Sequence, residues 1–145
     1  MSCCSGTDRF FSFFAKSYAK RLENKGFETS QEELFRALEE IGFDNQSVLE
    51  IGCGTGFFHQ KMVQSGASKA TGIDMSKKMI DYAQSLASKK GLAEKTAYST
   101  GDFVETQDQY GDHDVMLLDK VICCYPDSEI LIKLSTGKCR KSYAL

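Results

Sequence analysis

Apolar positions recur every three or four residues over the first part of the chain. Phe10, Phe11, Phe13, Phe14, Tyr18 and Leu22 give an aromatic face to a helix over Asp8 to Glu23, ended by Asn24-Lys25-Gly26. Leu34, Leu38 and Ile41 make the stripe of a second helix. It starts near Thr29, with Thr29 or Ser30 as cap, Glu32 and Glu33 in its first turn, and Gly42 as its stop. From residue 47 the period changes. Ser47 to Ile51 is short, β-branched and mostly apolar, the pattern of a strand buried on both faces. A glycine-rich turn from Gly52 to Gly56 leads into a helix over Phe57 to Gln64, closed by Gly66. Ala70 to Ile73 is a second strand ending at Asp74, and Met75-Ser76 opens a helix that runs to about Lys89. Lys95 to Ser99 reads as a third strand, and Asp114 to Leu118 as a fourth and the most apolar. Asp127 to Leu134 then reads as a helix, and Ser142 to Leu145 as the first residues of a fifth strand. Two helices followed by strand–helix alternation predict an α/β fold. Its parallel sheet has about four to five strands, flanking helices and right-handed crossovers. The expected organisation is a helical segment over 1–44 and a core over 45–145.

Composition narrows the class. The chain has 145 residues, 41% hydrophobic and 26% charged, which fits one ordinary globular domain. Its net charge of −2 shows no basic surplus, and no basic–aromatic interleaving suggests RNA or DNA, so a nucleic-acid partner is not expected. No apolar run approaches the roughly 18–20 residues that span a bilayer, and the N-terminus does not read as a signal peptide. The expectation is a cytoplasmic protein with no membrane association. Six cysteines, at positions 3, 4, 53, 123, 124 and 139, show no ligand-pair spacing, and His59 and His113 stand near none of them in sequence. Free thiols in a reducing compartment and no metal site are expected.

The chemistry centres on Val48-Leu49-Glu50-Ile51-Gly52-Cys53-Gly54-Thr55-Gly56. Gly52 can bend the chain off the strand, and Gly54 and Gly56 leave no Cβ between backbone and a ligand facing the next helix. A dinucleotide fingerprint would place its third glycine where Phe57 stands, so it fails. An acid near the turn, Glu50, suits the ammonium of an amino-acid-bearing cofactor. Asp74, about 20 residues beyond the turn, suits ribose hydroxyls, although Asp is also a common helix cap. Asp102 in Thr100-Gly101-Asp102-Phe103 can accept from an exocyclic amine while Phe103 covers a ring, or it is a turn residue beside a core Phe. Asp119 and the loop Lys120 to Asp127 follow the fourth strand. There Asp119 can orient a nucleophile or act as base, and Tyr125 can line the reacting centre. The same loop also reads simply as a helix entry, with Pro126 fixing the turn. Cys123 and Cys124 have no evident His partner, which argues against a nucleophilic role.

With these motifs the chain resembles a class I, Rossmann-like S-adenosylmethionine (SAM)-dependent methyltransferase over roughly residues 45 to 127. The resemblance implies that Glu50, Gly52, Cys53, Gly54, Thr55 and Gly56 form the cradle for the methionine part. It implies that Asp74 and Met75 hold the ribose, that Gly101, Asp102 and Phe103 contact adenine, and that Asp119 lies near the methyl group. Asp119 and Tyr125 are the expected catalytic residues, SAM the expected cofactor and a small molecule the expected acceptor. The Lys120 to Asp127 loop is also similar to small-molecule methyltransferases near the magnesium-protoporphyrin O-methyltransferase group. The family fold has seven strands, so this chain is expected to hold the cofactor half, with at most a stub beyond the strand over Val115 to Leu118. Such an uncovered apolar edge would invite self-association or a covering partner. Two other readings stand beside this one: an NAD-type oxidoreductase domain, and an inactive SAM-binding or interaction module.

Overall fold

Val48 and Leu49 are neighbours in sequence, and neither has any exposed surface. Successive strand side chains point to opposite faces, so the sheet has to be covered on both sides. The computed structural model, which describes residues 17–145, shows how. Residues 17–25 are helical (α1). They are followed by α2 (Thr29–Ile41), β1 (Ser47–Ile51), α3 (Phe57–Gln64), β2 (Lys69–Asp74), α4 (Lys77–Lys89) and β3 (Thr96–Thr100). The chain then forms α5 (Phe103–Thr106), β4 (His113–Leu117), α6 (Ser128–Thr136) and β5 (Cys139–Ala144). All strand pairs are parallel, in the order β3-β2-β1-β4-β5. The chain builds outward from β1 to β3, then returns to the other side of β1. The order therefore reverses between β1 and β4, and open parallel sheets bind ligands at the carboxyl ends of the strands beside such a reversal.

Alternation along the strands divides the core. Val48, Val115 and Leu117 pack on one face with Phe35 and Leu38 of α2, Phe58 and Met62 of α3, and Ala87 of α4. Leu49, Ile51, Met116 and Leu118 pack on the other with Phe103 of α5 and Leu131 of α6. Phe27, between α1 and α2, sets its ring 4.8–5.7 Å from those of Phe35, Phe57 and Phe58, which seats the N-terminal helices on α3. At the amino end of β1 the Asp114 carboxylate accepts the Ser47 N–H at 3.0 Å, and the Ser47 hydroxyl accepts the Asp114 N–H at 3.0 Å. That backbone hydrogen bond holds the Asp114 carboxyl below its ordinary range.

The expected elements form, with boundary differences of a residue or two at several ends and three departures of substance. The cap of α2 is Glu28, not Thr29 or Ser30: Glu28 has the extended backbone, and Gln31 Oε1 accepts its N–H at 3.1 Å. The helix α5 was not expected. It is one turn, started by Asp102, whose carboxylate accepts the Val104 N–H at 2.9 Å. The fifth strand is no stub: β5 pairs with β4 through His113, Val115, Met116 and Leu117, and the Leu118 N–H donates to the Ala144 carbonyl at 3.0 Å. The apolar strand is thus flanked on both sides, and the expected open edge there does not exist. The edge moves to β5, which carries Arg140 and Lys141, charges of the kind that discourage strand addition. The stretch 8–16 of the aromatic helix, with Phe10, Phe11, Phe13 and Phe14, lies outside the described residues, as do Cys3 and Cys4.

Candidate functional site

The turn after β1 is built from left-handed glycines. Gly52, Gly54 and Gly56 have φ values of 68°, 55° and 75°, which cost an L side chain roughly 1–2 kcal/mol. Their surroundings differ. A Cβ on Gly52 would come within 2.4 Å of Val121 Cγ2, and one on Gly56 within 2.9 Å of the His59 ring. At Gly54 it would meet nothing within 4 Å. The expectation that Gly56 keeps the space toward a ligand clear is corrected: its missing Cβ makes room for His59 and Gln60, and Gly54 alone faces open space.

Asp74 pins the turn to the end of β2. One carboxylate oxygen accepts the Gly54 N–H and the other the Ser76 N–H, each at 2.8 Å. Ser76, not Asp74, caps α4, accepting the Met79 N–H at 3.3 Å. A carboxylate oxygen accepts more than one bond, so holding the turn is compatible with facing a ligand.

Around this turn lies a cavity of about 450 Å³, within the roughly 300–1,000 Å³ range of ligand pockets. Glu50, Gly52, Cys53, Gly54, Thr55, Asp74 and Met75 line it, and Asp119, Lys120, Cys124 and Tyr125 form the wall after β4. Tyr18, Leu22 and Gln31 of the N-terminal helices roof it. Asp119 accepts from Gln31 Nε2 at 2.6 Å. Glu28 bonds Arg21 at 2.5 Å and also the ammonium of Lys120. The contact with Lys120 holds the Glu28 carboxyl below its usual range and raises Lys120. Burial, with Asp119 nearby, raises the Tyr18 phenol. The contacts of Glu28 and Gln31 with the loop after β4 were not foreseen; only the spacing of Glu28 and Gln31, a capping-box interval, hinted at the role of Gln31.

Gly101, Asp102 and Phe103 line not this cavity but a smaller one of about 40 Å³ beside it, which shares Gly52, Asp74, Met75, Val121 and Tyr125 with the large one. Both oxygens of Asp102 accept the Tyr125 hydroxyl, at 2.8 and 2.9 Å. Two residues expected to serve adenine and the reacting centre separately are thus joined. Phe103 is 2% exposed and stacks on Tyr110 with ring centres 6.1 Å apart, so it belongs to the core beneath the smaller cavity.

Behind the turn lies a polar network that the sequence did not reveal. Glu50 shares the Val48 face of β1, toward α3. Its Oε2 accepts from His59 Nδ1 at 2.6 Å and from the His59 N–H at 3.3 Å. His59 Nε2 is 2.9 Å from the Tyr98 hydroxyl, which is 2.7 Å from Gln60 Nε2, itself 3.0 Å from the Ala83 carbonyl. Burial raises the Glu50 carboxyl, opposed by the hydrogen bond from His59. The buried Cys53 thiol is raised well above its usual range, by desolvation first and the charge of Glu50 second, which makes it unreactive. Cys123 and Cys124 are exposed with sulfurs 3.4 Å apart, and no disulfide links Cys53, Cys123, Cys124 or Cys139. Among the described residues no group of three or more His, Cys, Asp or Glu is arranged to hold a metal, and no helix is long and apolar enough to cross a membrane.

A parallel sheet with a glycine turn and an acid-lined cavity at its reversal defines a nucleotide-cofactor type of α/β domain. Residues 43–136 match the family model described as a methyltransferase domain, and the chain belongs to that family. It is 34% identical over 58 residues to ribosomal protein L11 methyltransferase of Shewanella woodyi, covering 40% of this chain and 20% of that one. It is 37% identical over 67 residues to ubiquinone biosynthesis O-methyltransferase of Actinobacillus pleuropneumoniae, covering 46% of this chain and 28% of that one. The match therefore spans only 20% to 28% of the length of these curated relatives. Among solved structures it resembles magnesium protoporphyrin IX methyltransferase from Synechocystis PCC 6803 with bound SAM. That match has a TM-score of 0.76 and 18% identity, over 96% of this chain and 73% of that one. It also resembles a SAM-dependent methyltransferase from Thiobacillus denitrificans in complex with S-adenosyl-L-homocysteine. There the TM-score is 0.65 and the identity 22%, over 88% of this chain and 50% of that one. These likenesses show the fold.

Proposed function

We propose that the chain binds SAM in this cavity and transfers its methyl group to a small-molecule acceptor in the cytoplasm. The observation that carries the reading is the charge of the cavity wall. Glu50, Asp74 and Asp119 all line it, while Lys120 is turned onto Glu28. SAM brings an ammonium and a sulfonium to such a wall, whereas a pyrophosphate would meet like charge. Gly54 supplies open space for a ligand to approach the backbone. Glu50, the Gly52 to Gly56 turn and Cys53 would serve the amino-acid end, and Asp74 with Met75 the ribose. Gly101 and Asp102, beside the smaller cavity, would serve the adenine, with Phe103 beneath them.

The sulfonium supplies an activated methyl group, so the chain's own task is to align the acceptor and exclude water. Tyr18, Leu22 and Gln31 roof the cavity and would serve that exclusion. Asp119, oriented by Gln31, would take the acceptor's proton. Tyr125, held by Asp102, lines the same side. A cavity of about 450 Å³ has room for a small acceptor, although the relatives include one named for a ribosomal protein. Calorimetric titration with SAM, S-adenosylhomocysteine and NAD tests the reading, with Asp74→Ala checked for folding by circular dichroism. Binding of both SAM species, lost in Asp74→Ala and absent for NAD, is expected. A folded wild-type chain that binds neither SAM species would overturn it.

A further inference from the structure

The polar chain behind the turn has a direction. The Ala83 carbonyl only accepts, so the Gln60 amide nitrogen faces it, and the same nitrogen then donates to the Tyr98 oxygen. Tyr98 retains its own proton, its phenol pushed up to about 12 chiefly by burial, and His59 Nε2 lies 2.9 Å away. With Nε2 accepting, the proton of His59 sits on Nδ1 and is given to Glu50 Oε2. The backbone N–H of His59 goes to the same oxygen. Both donors thus hold one oxygen of Glu50. The other, Oε1, takes no donor among the described residues, and Glu50 lines the cavity.

We infer that His59 is a positioning residue, which holds the Glu50 carboxylate with one oxygen toward the cavity and so sets the recognition of the ammonium of the bound cofactor. The inference rests on the SAM reading above. His59 itself is fully buried and does not line the cavity; it acts through Glu50. Without its donor, burial of Glu50 is less opposed, and the carboxyl both turns and protonates more readily. The consequence falls on a ligand that carries an ammonium, and spares one that does not.

That asymmetry separates positioning from mere packing. S-adenosylhomocysteine has the amino-acid end; 5′-methylthioadenosine lacks it and keeps the adenosine. In His59→Leu, affinity for S-adenosylhomocysteine should fall about tenfold or more, while affinity for 5′-methylthioadenosine stays within about twofold. His59→Asn, which offers an amide donor near the Nδ1 position, should recover most of the loss. Tyr98→Phe, which keeps the ring and removes the donor to Nε2, should fall between them and guards against a misfolded leucine variant. Equal losses for both ligands, or no loss for either, would overturn the inference while leaving the cofactor reading standing. A wild-type chain that binds 5′-methylthioadenosine and S-adenosylhomocysteine equally well would also overturn it, and one that binds neither removes the cofactor reading as well.

Discussion

Gly52, Gly54 and Gly56 share a left-handed backbone and differ in what their missing side chains leave room for. Gly54→Ala should cost about 1–2 kcal/mol of stability from backbone strain alone. Because its Cβ would enter the cavity, it should also weaken SAM binding by at least about tenfold; urea unfolding and calorimetry separate the two effects. Gly52→Ala should destabilise further, through overpacking of about 1–3 kcal/mol against Val121. Adding Val121→Ala should return the packing part and not the backbone part, and a double-mutant cycle on unfolding free energies checks this. The spacing of these glycines was legible in the sequence because it is local. Their directions were not, since Val121 lies far along the chain and the His59 ring takes its place only once α3 has formed. The same holds for Glu50. Its place beside the turn was readable, yet its partner His59 is itself held by Tyr98 from β3, and no local pattern announces a contact between residues 39 apart such as His59 and Tyr98.

At the level of elements, the join between the N-terminal helices and the loop after β4 rests on Glu28, Gln31, Asp119 and Lys120. The Glu28–Lys120 pair is partly exposed, so Glu28→Gln should cost no more than about 1 kcal/mol. Its pH dependence has a definite sign. The folded-state value of Glu28 is lowered, so its contribution is present above the ordinary carboxylate range and disappears as pH falls through the lowered value. Lys120 is raised, so its share is present below the ordinary lysine range and lost as pH rises through the raised value. Thermal unfolding of wild type and Glu28→Gln should therefore differ by a constant amount near neutrality and converge in acid. A gap that persists at low pH would contradict this. Gln31→Ala should matter more for binding than for stability, because it removes the donor that orients Asp119. Strand and helix spans were legible from periodicity, with small shifts at their ends. The one-turn α5 was not, since four residues show no period, and its cap Asp102 is equally a turn residue.

For the molecule as a whole, the order β3-β2-β1-β4-β5 puts the most buried strands at the centre and a charged strand at one margin. Removing residues 138–145 should strip β4 of its neighbour and expose Val115 to Leu118. Gel filtration and light scattering should then show more association than the intact chain does. The parallel fold was readable from the alternation of elements, and the position of its cavity followed from that. The completeness of β5 was not readable, because Cys139, Arg140 and Lys141 hide a strand whose pairing is decided by β4.

The match to the methyltransferase family begins at residue 43, and the roof residues Tyr18, Leu22 and Gln31 all precede it. That offset predicts different selection on the two halves of the cavity wall. On the proposed reading the floor would answer to the cofactor and the roof to the acceptor. Among its orthologues, substitutions should accumulate faster at the roof than at the glycine turn, and Gln31 and Asp119 should change together or not at all. A history of acceptor exchange would then be written in the first forty residues, over a floor that stayed the same.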